Sequence, residues 1–179
     1  YVNDIKVDWE IFKVASDEYR KVRNTVRFML GNVGDFDPAR DRRELGPADV
    51  ASLDAWAMAR YAELVATVRE GYLGYQFKRV REALFTFCND HLSAVYLAAI
   101  KDRLYCDAAA GDRRRRAQTV LYDIAHGLIR MLAPILVHTA DEAWLALAGE
   151  GFESGRSVHL EMLPDVPPVA ADPGWEQAM

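Results

Sequence analysis

The chain has 179 residues, 51% of them hydrophobic, and a formal net charge of −5. That length and composition allow one domain with a sizeable core, or one domain plus a fragment. No apolar run nears the ~18–20 residues of a membrane helix, and the acid-bearing start YVNDIKVDWE is no signal peptide.

Residues 1–8 show no periodic pattern and are expected to be an irregular lead-in. The first residue is Tyr1 rather than Met, as expected of a segment of a longer protein. Helix 1 is expected from about Asp8 to Asn32. Ala15, Tyr19, Val22, Val26, Met29, Leu30 and Val33 share one face, with Ile11 and Phe12 extending it toward the start. A second face carries Arg20, Arg23, Asn24 and Arg27, spaced to stack one above another. Phe28 lies beside Asn24, away from the apolar stripe. Two readings stand for this basic face: a solvated coat, or a phosphate-tracking ridge with a docking or stacking aromatic.

Gly31, Gly34 and Asp37-Pro38 end the helix. Residues 33–51 form a loop with Arg40, Arg42 and Arg43, and Phe36 is expected to pin it to the core. Helix 2 starts near Ser52, an N-cap residue, and runs to Gly71–Gly74. Helix 3 is expected from about Gln76 to Ala109, with Phe77, Val80, Leu84, Phe87, His91, Val95 and Ala99 packed. His91 is expected to be a core histidine. Helix 4 spans about Arg113–Leu132, behind Gly111 and an Asp112 cap. Thr139–Glu142 has the pattern of a capping box opening a short helix through Ala148, anchored by Trp144. Ser157–Leu160 fits a short strand or an extended arm. The proline-rich stretch Leu163–Gly174 is a connector, and Trp175–Met179 resembles the first turn of a further helix.

The fold expected is all-α, an up-down antiparallel helix bundle with a short non-helical C-terminal tail. Its charge is uneven: residues 137–179 hold eight acids and one base, Arg156, so the rest is slightly basic. Alternating helix directions would gather Arg27, Arg40, Arg42, Arg43, Lys101, Arg103 and Arg113–Arg116 at one end. Four arginines in the first turn of a helix oppose the helix dipole. A bound polyanion would offset that; long side chains reaching into water would also accommodate it.

Catalytic signatures are missing: the sequence holds no GxGxxG, P-loop, HExxH or GxSxG. Cys88 and Cys106 are expected to be reduced thiols, and His91, His126, His138 and His159 lack metal spacing. Taken alone, these residues describe a non-catalytic helical module for an anion-rich partner; a module for an acidic protein is the alternative.

Four phrases carry a family resemblance: YRKVRNTVRFMLGNVGDFDP, LDAW (Leu53–Trp56), KDRLY (Lys101–Tyr105) and AQTVLYDIAHGLIRMLAPILVHTADEAW (Ala117–Trp144). In order and spacing they resemble the anticodon-binding helical domain of class I isoleucyl-tRNA synthetases, with valyl and leucyl relatives similar in arrangement. The resemblance implies residues 1–9 as the connector from a catalytic domain. It implies residues 10–148 as the anticodon-binding domain and 149–179 as an extended acidic tail with the start of the next helix. It implies a cytoplasmic, monomeric segment that is itself non-catalytic and binds no cofactor or membrane. The whole enzyme would use ATP and Mg2+, with Zn2+ in some members. The implied partners are the anticodon stem-loop of tRNA(Ile) and the catalytic domain of the same chain. The tRNA-facing candidates are Arg20, Arg23, Asn24, Arg27, Phe28, Trp56, Lys101, Arg103, Arg113, Arg114, Arg115 and Arg116. One departure is Ala55, where the family often has a basic residue.

Overall fold

The structure, a computed structural model, describes residues 7–175. Most of the expected connector and all of the expected final turn but Trp175 lie outside that range.

Helix α1 runs over Trp9–Val33, and Asp8 caps it by accepting from the Ile11 amide at 3.0 Å. A 3₁₀ turn, Pro47–Asp49, breaks the following loop. Helix α2 spans Leu53–Leu73, with the Ser52 hydroxyl accepting from the Ala55 amide at 3.1 Å. Its partner across a tight turn is α3, Phe77–Thr86. The two approach so closely that a Cβ on Gly71 would stand 2.6 Å from the Val80 side chain. The third long helical stretch then passes through ten residues of π-helix, Phe87–Tyr96, before α4 (Leu97–Ala99) and α5 (Lys101–Tyr105).

Sequence periodicity places His91, Val95 and Ala99 on the packed face. The structure instead buries Cys88, Leu92, Tyr96, Ile100 and Leu104. The π segment explains the shift: its i→i+5 bonding adds about one residue per turn, so the buried stripe moves along by one. His91 still packs, half-buried, against Trp56 and Phe87.

Helices α6 (Asp112–Leu132) and α7 (Val137–Ala148) complete the bundle. α6 packs against α1, α2 and α7, and α1 also meets α7 and the π segment. Among the described residues there is no strand, and the bundle is all-α as expected. One core cluster joins Met29, Tyr61, Leu92, Leu121, Ile124, Leu128 and Trp144. Tyr61 crosses α6 at Gly127, where an added Cβ would fall 1.6 Å from its hydroxyl. Phe36 is buried and pins the 34–51 loop, its ring 5.6 Å from Tyr122.

Three expectations are corrected. The first half of α1 lies open: Ile11, Phe12 and Ala15 are exposed, because no other described element covers them. Thr139–Glu142 is no capping box, since α7 already begins at Val137. Asp141 instead accepts from the Ser157 hydroxyl at 2.8 Å and the Val158 amide at 3.0 Å. Those two bonds, the hydroxyl first, hold its carboxyl below the usual range. Lastly, Val158–Leu160 is a 3₁₀ turn rather than a strand. Beyond it the chain returns along the bundle. Arg69 donates to the Pro164 carbonyl at 3.1 Å, Arg130 to that of Met162 at 3.1 Å, and the Trp175 indole to that of Ala51 at 3.2 Å.

Candidate nucleic-acid interface

Two groups of basic residues were candidates, and the structure separates them. The first lies on α1. No acid occurs between Tyr19 and Gly34, so the helix cannot neutralise this face from within itself. Arg20, Arg23, Asn24 and Arg27 are all exposed. Arg20 pairs with Asp17 at 2.8 Å, a contact open to water on both sides. Among the described residues the side chains of Arg23, Arg27 and Lys101 form no ion pair. Lys21 sits over the Phe85 ring, 5.4 Å from its centre.

Beside this face runs a groove of about 280 Å³ between α1 and the π segment. Asn24, Phe28 and Lys101 line it together with Lys21, Asn89 and Ser93. Thr25 supports its floor, with its hydroxyl 2.8 Å from that of Ser93. The groove therefore has a half-buried aromatic wall, two amide side chains and two ammonium groups. That set suits a nucleotide: amides read base edges, the ring stacks, and the cations meet phosphate.

Tyr105 belongs with this group and was missed from sequence. It is 64% exposed, one helical turn beyond Lys101, and its hydroxyl stands 3.4 Å from the Asn32 side-chain nitrogen. The signal was present in KDRLY, an aromatic four residues after an exposed lysine.

The second group answers to acids of this chain. Arg113 pairs with Asp107 at 3.5 Å. Arg114 grips both oxygens of Asp35, at 2.7 and 3.0 Å. Arg115 is buried; it donates to the Asp35 carbonyl at 2.9 Å and to Gln118 at 2.8 Å, and faces Asp41 at 3.4 Å. Arg116 pairs with Asp49. The loop arginines follow suit: Arg42 clamps Asp123 at 2.6 and 2.8 Å, and Arg43 meets Asp112 at 3.0 Å. The Arg114 guanidinium beside Asp35 lowers that carboxyl's pKa. Asp41 is lowered further, chiefly by Arg40. The arginine run that opposes the α6 dipole is thus balanced by Asp107 and by the acids of the 34–51 loop, with no outside anion needed.

Arg103 and Trp56 also have internal duties. Arg103 donates to one oxygen of the buried Asp54 at 2.9 Å, and the Tyr96 hydroxyl donates to the other at 2.8 Å. Burial, with Asp54 adding to it, pushes the Tyr96 phenol well above its ordinary pKa. Trp56 is 4% exposed, with its ring edge-on to His91. Its burial leaves no face on which a base could stack.

Among the described residues no three His, Cys, Asp or Glu side chains gather where they could hold a metal ion. Nor is any helix among them long and apolar enough to cross a membrane.

The fold and this face define a helical module that presents an uncompensated basic surface next to an aromatic-walled groove. A family model for the anticodon-binding domain of tRNA ligase matches residues 54–179, and the chain belongs to that family. Among curated relatives, the isoleucine–tRNA ligase of Desulfotalea psychrophila is 45% identical over 178 residues, 98% of this chain and 18% of the relative. That of Ruegeria pomeroyi is 47% identical over 170 residues, 93% of this chain and 17% of the relative. That of Symbiobacterium thermophilum is 42% identical over 183 residues, 100% of this chain and 19% of the relative. The chain therefore spans less than a fifth of the length of these relatives.

Proposed function

We propose that this chain is the tRNA-holding part of an isoleucine–tRNA ligase. It grips the anticodon stem-loop of tRNA(Ile), and so places the acceptor end in a catalytic domain elsewhere in the longer cytoplasmic enzyme. That domain would use ATP and Mg2+ to activate isoleucine; no residue of this chain is assigned to either, or to Zn2+. The observation that carries the reading is the acid-free face of α1, beside the Asn24–Phe28–Lys101 groove, where Arg23 and Arg27 form no ion pair among the described residues. An RNA backbone supplies the missing countercharge. Phe28, Asn24 and the exposed Tyr105 ring are the base-contacting candidates. Arg23, Arg27 and Lys101 are the phosphate contacts, and Arg20 and Arg113 contribute less because each shares its charge with an aspartate.

The test is a titration of tRNA(Ile) against an unrelated tRNA at two salt concentrations. The expected result is binding of roughly micromolar strength that weakens steeply with salt, with a log–log slope near −0.9 for each duplex phosphate contacted. Absence of binding even at low salt overturns the reading. A salt-independent affinity points instead to a protein-interaction module, since an aromatic-anchored interface responds little to salt.

A further inference from the structure

Helix α5 is five residues long, far below the ~12–15 at which a helix holds by itself in water. Its place and its rotation are therefore set by what it touches. At about 100° per residue, Lys101 and Tyr105 lie together on one side and Arg103 lies opposite them. Ile100 and Leu104, about a quarter turn round, are buried, but apolar contacts are non-directional. Two directional bonds fix the rest. The Leu104 carbonyl accepts from Arg114 at 3.1 Å, which anchors the end of α5 to α6. On the back of α5, Arg103 donates to Asp54 at 2.9 Å. Asp54 stands in the first turn of α2 and is 1% exposed. Its second oxygen accepts from the hydroxyl of Tyr96, the last residue of the π segment, at 2.8 Å. One buried carboxylate thus joins α2, the π segment and α5. A buried ion pair often adds no net stability over apolar packing, and its best-attested use is to specify one arrangement against others. The arrangement specified here is that of Lys101, which lines the groove beside α1, and of Tyr105, whose hydroxyl stands 3.4 Å from Asn32.

We propose that Asp54 is a positioning residue for the groove: through Arg103 it sets the rotation of α5 and so aims Lys101 and Tyr105 at a bound nucleotide. The proposal rests on the reading above, in which the groove takes RNA. Asp54 is too deeply buried to meet RNA itself, and Arg103 directs its charge inward. Without the carboxylate, Arg103 turns to solvent and α5 keeps only its tie to Arg114. Lys101 then leaves its place in the groove, and Tyr105 its place beside Asn32, which also donates to the Phe28 carbonyl at 2.8 Å. The Asp54–Arg103 bond spans 49 positions of the chain. It makes the LDAW and KDRLY phrases one unit: the first holds what the second presents.

The experiment uses the complete ligase chain. Asp54→Asn keeps the shape of the side chain and an oxygen for Tyr96 but removes the charge that holds Arg103. Hydrogen exchange over residues 101–106 is expected to run about tenfold faster than in the wild type, as when a segment opens locally, with exchange in the middle of α6 unchanged. Tyr72→Phe removes a bond of 2.8 Å to the Met131 carbonyl at the other end of α2. It controls for a general loss of stability and leaves exchange over 101–106 as in the wild type. Affinity for tRNA(Ile) per folded molecule is expected to fall about fivefold to tenfold with Asp54→Asn. That loss should vanish when Lys101→Ala and Tyr105→Ala are already present, because coupled residues do not add. Arg103→Gln, a change at a partly exposed residue, should reproduce both effects and add nothing to Asp54→Asn. Unchanged exchange over 101–106, or a rise matched by Tyr72→Phe, overturns the proposal. So does a loss of affinity that persists in full without Lys101 and Tyr105. Losses that add on combining Asp54→Asn with Arg103→Gln overturn it too, and make Arg103 a phosphate contact. The exchange measurement needs no RNA. A wild type that binds no tRNA therefore strikes the reading of the groove and this proposal with it, whereas unchanged exchange strikes this proposal alone.

Discussion

Arg23 and Arg27 on α1 and Arg113–Arg116 on α6 are the same residue type in two fates. The run of four attracts the eye in the sequence, yet each of its guanidinium groups faces an aspartate. The two on α1 are spaced a turn apart in a less conspicuous phrase, and face water. Charge density along the chain therefore says little about charge left over for a partner. What matters is whether acids come within reach after folding, and the 34–51 loop delivers Asp35, Asp41 and Asp49 to α6 rather than to α1.

The sharpest way to break this contrast is to remove the buried member of the run. Arg115→Ala removes the buried cation that ties the Asp35 carbonyl, Gln118 and Asp41, while Arg114 still holds the Asp35 carboxylate and Arg40 that of Asp41. The expected cost is about 2 kcal/mol of stability, the scale for leaving part-buried acceptors without their charged donor. Urea denaturation measures it. The tRNA affinity of the molecules that remain folded should be unchanged. Stability like the wild type with weakened tRNA binding would reverse the assignment and make the run a phosphate site.

The ridge should behave in the opposite sense. Arg23→Ser with Arg27→Ser breaks no ion pair among the described residues, so stability should move by no more than about 0.5 kcal/mol. Affinity for tRNA should fall about tenfold or more, and the salt slope should flatten by about 0.9 for each duplex phosphate the variant no longer neutralises. Arg20→Ser is the graded control, with a smaller effect because Asp17 already shares its charge. Filter-binding titrations at two salt concentrations read all three. A double variant that binds as tightly as the wild type would leave the α1 face a solvated coat.

Most of the fold was legible because its signals are local. Ser52 caps α2 where expected, Phe36 pins its loop, and Val22, Val26, Met29 and Val33 of the α1 stripe are buried. The expected Asp112 cap is the exception, since Asp112 is the first residue of α6 and its carboxylate accepts from Arg43. What the sequence did not show required tertiary information. The π segment has no local signature, and it moved the packed face from His91 to Leu92. The fate of Arg113–Arg116 depended on a loop some seventy residues earlier, and that of Trp56 on which side of α2 met the π segment. Tyr105 was legible in principle, but its exposure depends on α5 ending the helical stretch at the edge of the bundle.

The smallest effect separates stability from binding by pH. His91 and His126 both have their pKa lowered, chiefly by burial, with Arg60 disfavouring charge at the first and Arg130 at the second. Asp90 and Glu63 near His91, and Asp123 and Glu161 near His126, pull the other way without prevailing. At His126 the geometry agrees: Arg130 stands 3.2 Å from Nδ1, and since arginine can only donate, that nitrogen must accept and the ring is neutral. A folded pKa below the unfolded value of about 6.5 means the unfolded chain binds protons first. Stability is then full above that value and falls as pH drops through it, by at most about 1.4 kcal/mol per pH unit for each histidine. Asp35 and Asp141, whose folded pKa values are depressed, add nothing to this window. Their contribution persists until the pH falls below about 4, where protonation competes with their native partners. Neither histidine lines the groove beside α1, so tRNA affinity per folded molecule should stay level from about pH 7 to about pH 5 while the unfolding free energy declines. His126→Gln should remove part of that decline. A flat stability profile over the same range would show that neither ring is held neutral by its packing.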